Sequence, residues 1–247
     1  MIDFYFLISS RQEGDFFGMI NYMVKIIELY NNKLAEQYNE ATLKGKWHAP
    51  KEANKLLLQH RLVKNNLVVL DLGVGTGQSI KSFANKGCRV YAVDISNKML
   101  QITKQKYPEV KTFKYDINNG LAKLNFRHKS FDMLIAVGVL EFIKSIKRII
   151  KETYQLLKKD GYFVFTYELL LPNHRLQKLR VQDNAKGYIK NPPYTTRFKL
   201  YRRTKKEING ILNNAGYQII RHSKIRAFLK GPAKIPVYYG VVLVKKR

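Results

Sequence analysis

The chain has 247 residues, 45% of them hydrophobic, which is enough for one α/β domain with a sizeable core. Because no apolar run approaches the ~20 residues of a membrane-spanning helix and no basic leader precedes a cleavage site, we expect neither a transmembrane segment nor a secretory peptide. The single cysteine, Cys88, excludes an intramolecular disulfide and favours the reducing cytoplasm.

Charge is the unusual property of the composition. The formal net charge is +27, and residues 169–247 alone carry 19 Lys and Arg against 2 Asp and Glu. A field of this sign raises the encounter rate with anions, which include acidic metabolites, nucleic acid and membrane surfaces, and does not choose among them. A nucleic-acid partner therefore stays open.

The first 60 residues form one unit of the predicted organisation. Apolar residues recur on one helical face of residues 15–30, and residues 31–60 continue as helix. We expect 1–60 to be an N-terminal helical extension that lies as a lid over the carboxyl end of a sheet.

Residues 61–247 are predicted to form one α/β domain. Short β-rich runs alternate with helical periodicity, and runs that are apolar on both faces indicate a parallel sheet covered by helices. The predicted strands are LVVLDL 67–72, RVYAVDI 89–95, VKTFKY 110–115, FDMLIAV 131–137 and GYFVFTY 161–167. The predicted helices are 78–86, 96–106, 118–124 and 141–158. This alternation is typical of a doubly wound fold.

The rhythm changes after Glu168. Residues 169–201 are polar, contain prolines and are predicted to be an insertion that covers the substrate. A helix that ends near Gly216 and two β-rich runs, 217–226 and 237–244, follow. Two late strands so close together predict an antiparallel hairpin at one edge, and the whole is then a mostly parallel seven-stranded sheet.

The most specific signal is the run VVLDLGVGTGQS, in which three glycines follow the first predicted strand. Gly73, Gly75 and Gly77 allow a tight turn and a close approach of the backbone to a ligand, and free N–H groups where the helix begins favour an anion. A dinucleotide-binding fold would have glycine at position 78, where this chain has glutamine. An acid, Asp71, precedes the first glycine instead.

This run resembles the first motif of the class I S-adenosylmethionine-dependent methyltransferases, which have a Rossmann-like fold. The resemblance continues in order through Asp94, Asp116 in KYDINN, FDMLIAVGVLEFI and LLKKDGYFVF. It implies that Asp94 binds both ribose hydroxyls, that Asp116 contacts the adenine amino group and that Asp71 positions the methionine end. The cofactor would be S-adenosylmethionine and the product S-adenosylhomocysteine. Each acid could instead cap the helix that follows it.

The N-terminal segment YNNKLAEQYNE also resembles small-molecule methyltransferases, in which a tyrosine of this segment reaches the cofactor's carboxylate. Tyr30 and Tyr38 are the matching residues, and packing is the alternative role. Trp47, the only tryptophan, could join them. The complete set of cofactor-binding residues that the resemblance implies is Asp71, Gly73, Gly75, Gly77, Asp94, Ile95, Asp116, Ile117, Val137 and Tyr38.

The acceptor side gives weaker signals. Methyl transfer from a sulfonium is an in-line displacement that depends on positioning, and a general base is optional. Related methyltransferases often carry histidine where this chain has Phe142. The weak candidates for a base or substrate contact are Glu141, Glu168, His48 and His174, each of which could equally be a cap or a structural hydrogen-bonding residue. No metal site is predicted.

The run NPPY, 191–194, resembles the signature of methyltransferases that act on adenine or glutamine amino groups, where it closes the fourth strand. Here AVGVL, 136–140, occupies that position, so we interpret 191–194 as a structural loop.

The sequence favours a cytoplasmic S-adenosylmethionine-dependent methyltransferase that acts on a small molecule, with an anionic one consistent with the charge. One alternative is an RNA methyltransferase, because a basic stripe joins the basic C-terminal third. The stripe consists of Lys144, Lys147, Arg148 and Lys151. A second alternative is a non-catalytic S-adenosylmethionine-binding protein, since no base is evident.

Overall fold

A seven-stranded sheet forms the centre of the computed structural model, which describes residues 35, 38–44, 46–183 and 199–247. The strands are β1 Val68–Leu72, β2 Arg89–Asp94, β3 Lys111–Lys114, β4 Phe131–Ala136, β5 Leu157–Glu168, β6 Val181–Asp183, β7 Lys199–Tyr201, β8 Tyr217–Lys230 and β9 Ile235–Lys246. The helices are α1 Tyr38–Lys44, α2 Ala49–Gln59, α3 Lys81–Ala84, α4 Asn97–Lys106, α5 Ile146–Leu156 and α6 Lys205–Asn214. Short 3-10 helices span Ile117–Asn119, Ala122–Leu124 and Leu140–Phe142.

The strand order of the large sheet is β3-β2-β1-β4-β5-β9-β8, and β6 pairs with β7 alone. Strands β1 to β5 are parallel, whereas β9 runs antiparallel to both β5 and β8. The predicted doubly wound, mostly parallel sheet with a late antiparallel hairpin is therefore confirmed. The order reverses between β1 and β4, and in such sheets ligands bind outside the carboxyl ends of the strands at this point.

Alternate residues of the central strands enter two separate cores, as a sheet covered on both faces requires. In β1, Leu70 and Leu72 belong to one core and Val69 to the other. Helices α5 and α6 cover the first face, and α2, α3 and α4 cover the second. The side chains that they bury include Ile149, Ile150, Ile208 and Leu212 on the first face and Ala53, Leu57, Phe83 and Leu100 on the second.

Several predicted helices are shorter in the structure. The predicted helix 78–86 is α-helical only at Lys81–Ala84, and 118–124 forms two 3-10 turns. Gly120 has φ +84° and Asn125 has φ +51°, which interrupts helical hydrogen bonding on both sides of the second turn. The predicted helix 141–158 divides into a 3-10 turn and α5, and β5 begins at Leu157. The late strands β8 and β9 are longer than predicted.

Residues 31–60 were predicted to be helical throughout, and within the described part α1 and α2 form separate helices. Helix α2 begins with Pro50 in its first turn and packs against the second core. Of these two described helices, α1 is therefore the one that can cover the edge of the sheet. The predicted helix 15–30, Tyr30 and the NPPY run lie outside the described residues.

The described part of the predicted insertion is tied to the sheet at both ends. Leu169 forms a β-bridge with Arg203, and the Gln177 side chain donates to the Leu169 and Tyr238 carbonyl oxygens at 3.0 and 2.7 Å. A capping box between Thr204 and Glu207 then begins α6. The substrate-covering role of 169–201 stays a prediction.

No helix in the described part of the chain has the length and apolarity to cross a membrane.

Candidate active site

The glycine loop joins β1 to α3 at the carboxyl edge of the sheet. Gly73, Gly75 and Gly77 have φ of +77°, +54° and +82°, a region that other residues rarely adopt. A Cβ on Gly73 would lie 2.7 Å from the Val139 side chain, and one on Gly77 would lie 2.9 Å from the Tyr107 ring. Backbone conformation therefore favours glycine at all three positions, and space restricts Gly73 and Gly77 to glycine as well.

Helix α1 contacts this loop. The Asn39 side-chain oxygen accepts hydrogen bonds from Thr76 Oγ1 at 2.7 Å and from Gln78 Nε2 at 3.1 Å. The Tyr38 ring passes 4.0 Å from the position of a Cβ on Gly75. Helix α1, which belongs to the predicted lid segment, therefore contacts the glycine loop, and the lid role of residues 1–60 stays a prediction.

Asp71 is the penultimate residue of β1 and is fully buried. Ser79 Oγ donates to its Oδ2, whereas Oδ1 has no hydrogen-bond partner. Burial raises the pKa of Asp71 to about 7, opposed by the Ser79 hydrogen bond, and the charge of Asp94 adds to the rise. A carboxyl group in this state can accept a hydrogen bond from a ligand or attract a cation.

Asp94 ends β2 and is also buried. Its Oδ2 accepts from the Gly75 N–H and its Oδ1 from the Ser96 N–H, both at 2.9 Å. Burial raises its pKa, and these backbone hydrogen bonds oppose the rise. The carboxylate thus fixes the middle of the glycine loop and keeps lone pairs for further donors. Ile95 follows it, half-buried.

Asp116 follows β3 and has the cap role, one of the two that the sequence left open, whereas its ligand role stays a prediction. Its Oδ1 caps the 3-10 turn, since it accepts from the Asn118 N–H at 2.9 Å and from Asn118 Nδ2 at 3.1 Å. Its Oδ2 is buried and has no partner. The next residue, Ile117, is buried in the first core. Asp116 therefore acts as a cap and still offers one acceptor oxygen.

The backbone that follows β4 lies beside the loop. Gly138 N–H donates to Thr166 Oγ1 at 2.9 Å, which fixes the chain just after Val137. The Trp47 ring covers this position, since a Cβ on Gly138 would lie 3.0 Å from Trp47 Cζ2. Trp47 is thus part of the carboxyl edge, as the sequence suggested.

Two of the acidic catalytic candidates lie together beyond β4 and β5. Glu141 is 3% exposed; its Oε1 accepts from the Tyr239 hydroxyl at 2.9 Å and its Oε2 has no partner. Burial raises the pKa of Glu141 to about 8, and the negative charge of Glu168 contributes. Glu168 forms an ion pair with Arg202, whose Nε lies 2.6 Å from its carboxylate, and this pairing gives the carboxylate a structural role.

Of the two histidine candidates, His174 lies near enough to Glu168 to oppose the rise that burial causes in the pKa of that carboxyl. His48 precedes α2, and its backbone N–H donates to the Ala227 carbonyl at 2.8 Å. His174 Nδ1 accepts from the Leu176 N–H at 3.2 Å, and its ring packs edge-on against Tyr238. The ring of His174 is thus held by structural contacts, whereas the His48 contact is made by its backbone, and a role for its imidazole stays a prediction.

Sequence reasoning missed Tyr239 and the arginine pair 202–203. Arg203 is buried, and its guanidinium donates to the carbonyl oxygens of Leu140 and Ile143, which holds the turn that carries Glu141. In the sequence the two arginines are part of the basic C-terminal third. No local pattern indicates that both are buried, because Glu168, Leu140 and Ile143, which accept from them, lie more than 30 residues earlier in the chain.

Comparison with known proteins agrees with this geometry. A sequence model of the methyltransferase domain family matches residues 70–165. A demethylmenaquinone methyltransferase of Tropheryma whipplei is 34% identical over 96 residues, which are 39% of each chain. A malonyl-[acyl-carrier protein] O-methyltransferase of a Marinomonas species is 27% identical over 56% of this chain and 52% of its own. The chain thus spans about half or less of the length of the curated relatives it matches.

The fold also matches solved structures. The 1,6-didemethyltoxoflavin-N1-methyltransferase of Burkholderia thailandensis, crystallised with 1,6-didemethyltoxoflavin and S-adenosylhomocysteine, superposes with a TM-score of 0.64 at 17% identity, over 97% of this chain and 93% of its own. At this identity the match supports the fold alone. Residues 70–165 are thus similar in sequence to the methyltransferase domain family, and the chain is similar in fold to a methyltransferase that was crystallised with S-adenosylhomocysteine.

Proposed function

We propose that this protein transfers the methyl group of S-adenosylmethionine to a small-molecule acceptor. The observation that carries the proposal is the pair of buried, unpartnered carboxylate oxygens beside the glycine loop, Asp71 Oδ1 and Asp116 Oδ2. A buried acceptor without a donor costs about 1–3 kcal/mol. A ligand that brings donors to both positions would remove this cost.

The residues fit that cofactor by the chemistry of its parts. Asp116 Oδ2 would accept from the adenine amino group, and Asp94 would accept from the ribose hydroxyls. Asp71 and the backbone at Val137 would face the amino-acid end, where an ammonium group matches an unpaired carboxylate. Tyr38 and the N–H groups of the glycine loop would bind the carboxylate. When bound, the cofactor supplies an activated methyl group with a sulfonium leaving group.

The protein's contribution to such a reaction is mainly positioning. The nucleophile has to lie in line with the methyl carbon and the sulfur, and a rigid pocket without competing water favours this arrangement. The glycine loop, Trp47 and the Arg203-anchored turn after β4 are fixed by the contacts described above. Known relatives methylate different small molecules, so the acceptor is proposed only as a small molecule. A cytoplasmic location stays a prediction.

Two measurements test the proposal. Calorimetry should detect binding of S-adenosylhomocysteine to the purified chain. Labelled methyl groups from S-adenosylmethionine should then enter the metabolite fraction of a cell extract, rather than its RNA or protein. Absence of S-adenosylhomocysteine binding would refute the proposal, and binding without transfer to any fraction would favour a non-catalytic cofactor-binding protein.

An RNA methyltransferase is the second candidate, and one observation favours it. Three lysines are exposed: Lys147 and Lys151 lie on one face of α5, and Lys144 lies just before the helix. Arg148, in the same stripe, donates a hydrogen bond to the Asn118 carbonyl oxygen, and its Nε lies 3.9 Å from Glu152 Oε1. Labelled methyl groups in the RNA fraction, with RNA affinity that falls steeply with salt, would establish this alternative.

A further inference from the structure

One buried carboxylate oxygen has no role in the proposed cofactor site. Among the residues that the structure describes, three buried side-chain oxygens lack a hydrogen-bond partner. Asp71 Oδ1 and Asp116 Oδ2 belong to the proposed cofactor site, and Glu141 Oε2 is the third. The turn that carries Glu141 follows β4 directly, so it too lies at the carboxyl edge. An unsatisfied carboxylate oxygen that is nearly inaccessible to solvent is a feature that a ligand can explain.

The surroundings of Glu141 are built from aromatic side chains. Tyr239, on β9 opposite the last residue of β5, donates its hydroxyl to Glu141 Oε1 at 2.9 Å. The Trp47 ring packs edge-on against Tyr239 with centroids 5.2 Å apart, and the same ring covers Gly138. Phe228 packs against both rings. Glu141 is thus joined, through Tyr239 and Trp47, to the position where β4 meets the glycine loop.

The charged groups around Glu141 leave its carboxyl without an ionic partner. Glu168, on β5, is paired with Arg202, and its negative charge opposes ionisation of Glu141. Arg203 favours that ionisation from a distance, but its guanidinium donates to backbone carbonyl oxygens. Tyr239 donates the single side-chain hydrogen bond that Glu141 accepts among the described residues. No group in the described part of the chain therefore donates a hydrogen bond to Glu141 Oε2.

We propose that Glu141 Oε2 binds the methyl acceptor through the hydrogen of its nucleophilic oxygen or nitrogen, and takes that proton during transfer. This inference rests on the proposed function. The acceptor's lone pair forms the new bond to the methyl carbon, and the carbon–sulfur bond breaks with its electron pair going to sulfur. The acceptor's proton goes to the carboxylate of Glu141, so charge is balanced. The acceptor class is then a planar molecule with an ionisable O–H or N–H, because the neighbouring surface is aromatic.

The electrostatics agree with this role. The pKa of about 8 keeps the Glu141 carboxyl largely protonated at neutral pH when no ligand is bound. A sulfonium nearby would favour the ionised form, which is the form that accepts a proton. The Tyr239 hydrogen bond lowers the pKa of Glu141, so removal of that hydroxyl should raise it.

The test uses labelled methyl transfer to the fractionated extract, with S-adenosylhomocysteine calorimetry beside it. Glu141→Gln should reduce transfer at least 100-fold and leave S-adenosylhomocysteine affinity within twofold of wild type. Tyr239→Phe should keep measurable transfer but shift the inflection of its pH profile to higher pH, an effect that a purely structural contact would not produce. Glu109→Gln, at an exposed carboxylate, is the matched control and should change nothing.

The outcomes separate this inference from the proposed function. Failure of the wild-type protein to bind S-adenosylhomocysteine would overturn both. Normal binding with full transfer by Glu141→Gln would overturn the inference alone, whereas normal binding with no transfer by the wild type would overturn both the inference and the proposed methyl transfer. Loss of S-adenosylhomocysteine affinity and melting temperature in Glu141→Gln would also overturn it, since a structural role predicts that result. An unsatisfied carboxyl predicts a melting temperature equal to or above that of the wild type.

Discussion

The replacement of Asp116 by Asn tests the cofactor site without disturbing the local fold. In the structure Oδ1 caps the turn by accepting from the Asn118 N–H and Nδ2, and Oδ2 is open. An asparagine can keep its carbonyl oxygen in the Oδ1 position, so the cap survives. Its amide nitrogen then occupies the Oδ2 position and presents a donor to the adenine amino group, which is also a donor.

The expected loss follows from the contact that is removed. A hydrogen bond to a charged group contributes about 1.5–3 kcal/mol. At 1.36 kcal/mol per tenfold, Asp116→Asn should weaken S-adenosylhomocysteine binding roughly 10- to 150-fold. Because the cap is retained, we expect the free energy of unfolding to change by less than about 0.5 kcal/mol.

Calorimetry with two ligands distinguishes a lost contact from general damage. S-inosylhomocysteine carries a carbonyl oxygen where adenine has its amino group, and this oxygen can accept from the side-chain amide that the substitution introduces. The variant should therefore lose the wild type's preference for the adenosyl ligand or reverse it. Asp160→Asn, which removes the same charge from an exposed carboxylate paired with Lys245, is the control. Unchanged preference in Asp116→Asn would refute the reasoning.

Four further predictions concern packing and protonation. Gly240→Ala should destabilise the fold by about 3 kcal/mol in chemical denaturation, because its Cβ would lie 2.3 Å from the buried Tyr167 ring. Gly210→Ala, in α6 with no atom within 4 Å of a Cβ, should instead stabilise it by roughly 0.5–1 kcal/mol. A carboxyl whose folded pKa is raised stabilises the fold below its unfolded pKa and loses that contribution as pH rises through the folded value. For Glu141 the loss from pH 4.5 to about 8 is at most roughly 5 kcal/mol, and Glu141→Gln should flatten this slope in urea titrations across that range. An ammonium brought beside Asp71 should lower the pKa of that carboxyl from about 7, so S-adenosylhomocysteine binding near pH 7 should release protons. Calorimetry in buffers of different ionisation enthalpy measures this release. Equal binding enthalpies in all buffers would contradict the prediction.

The cofactor side of the site could be predicted from the sequence because its determinants are local. Each acid lies within two residues of the carboxyl end of a strand. Parallel strands bring these ends to one edge of the sheet, so order along the chain gives position in space. The sequence left open whether Asp116 is a cap or a ligand. The structure shows that its two oxygens are in different states, one bound by the turn and one open.

The acceptor side could not be predicted in the same way. Tyr239 reaches Glu141 because β9 pairs antiparallel with β5 in a register that sets Tyr239 opposite Glu168, across more than 70 residues of chain. No local periodicity specifies that register. Likewise, Arg202 and Arg203 resemble surface charges in sequence and are buried because carboxylate and carbonyl groups from distant segments surround them. Tertiary contacts, rather than propensity, decide these positions.

The treatment of acids at the two edges of the sheet supports a ligand site at the carboxyl edge. At the amino end of β4, Asp132 accepts from the Val68 N–H at 2.8 Å and from Lys158 Nζ at 2.7 Å, so both its oxygens are satisfied by the chain itself. At the carboxyl edge Asp71, Asp116 and Glu141 each keep one buried oxygen open, although this positively charged chain has ample Lys and Arg to pair with them. Each open oxygen costs stability that a neutral or paired side chain would not. Among the described residues, three such costs occur together at the carboxyl edge, on β1 and after β3 and β4, as expected where a ligand rather than the protein supplies the missing donors.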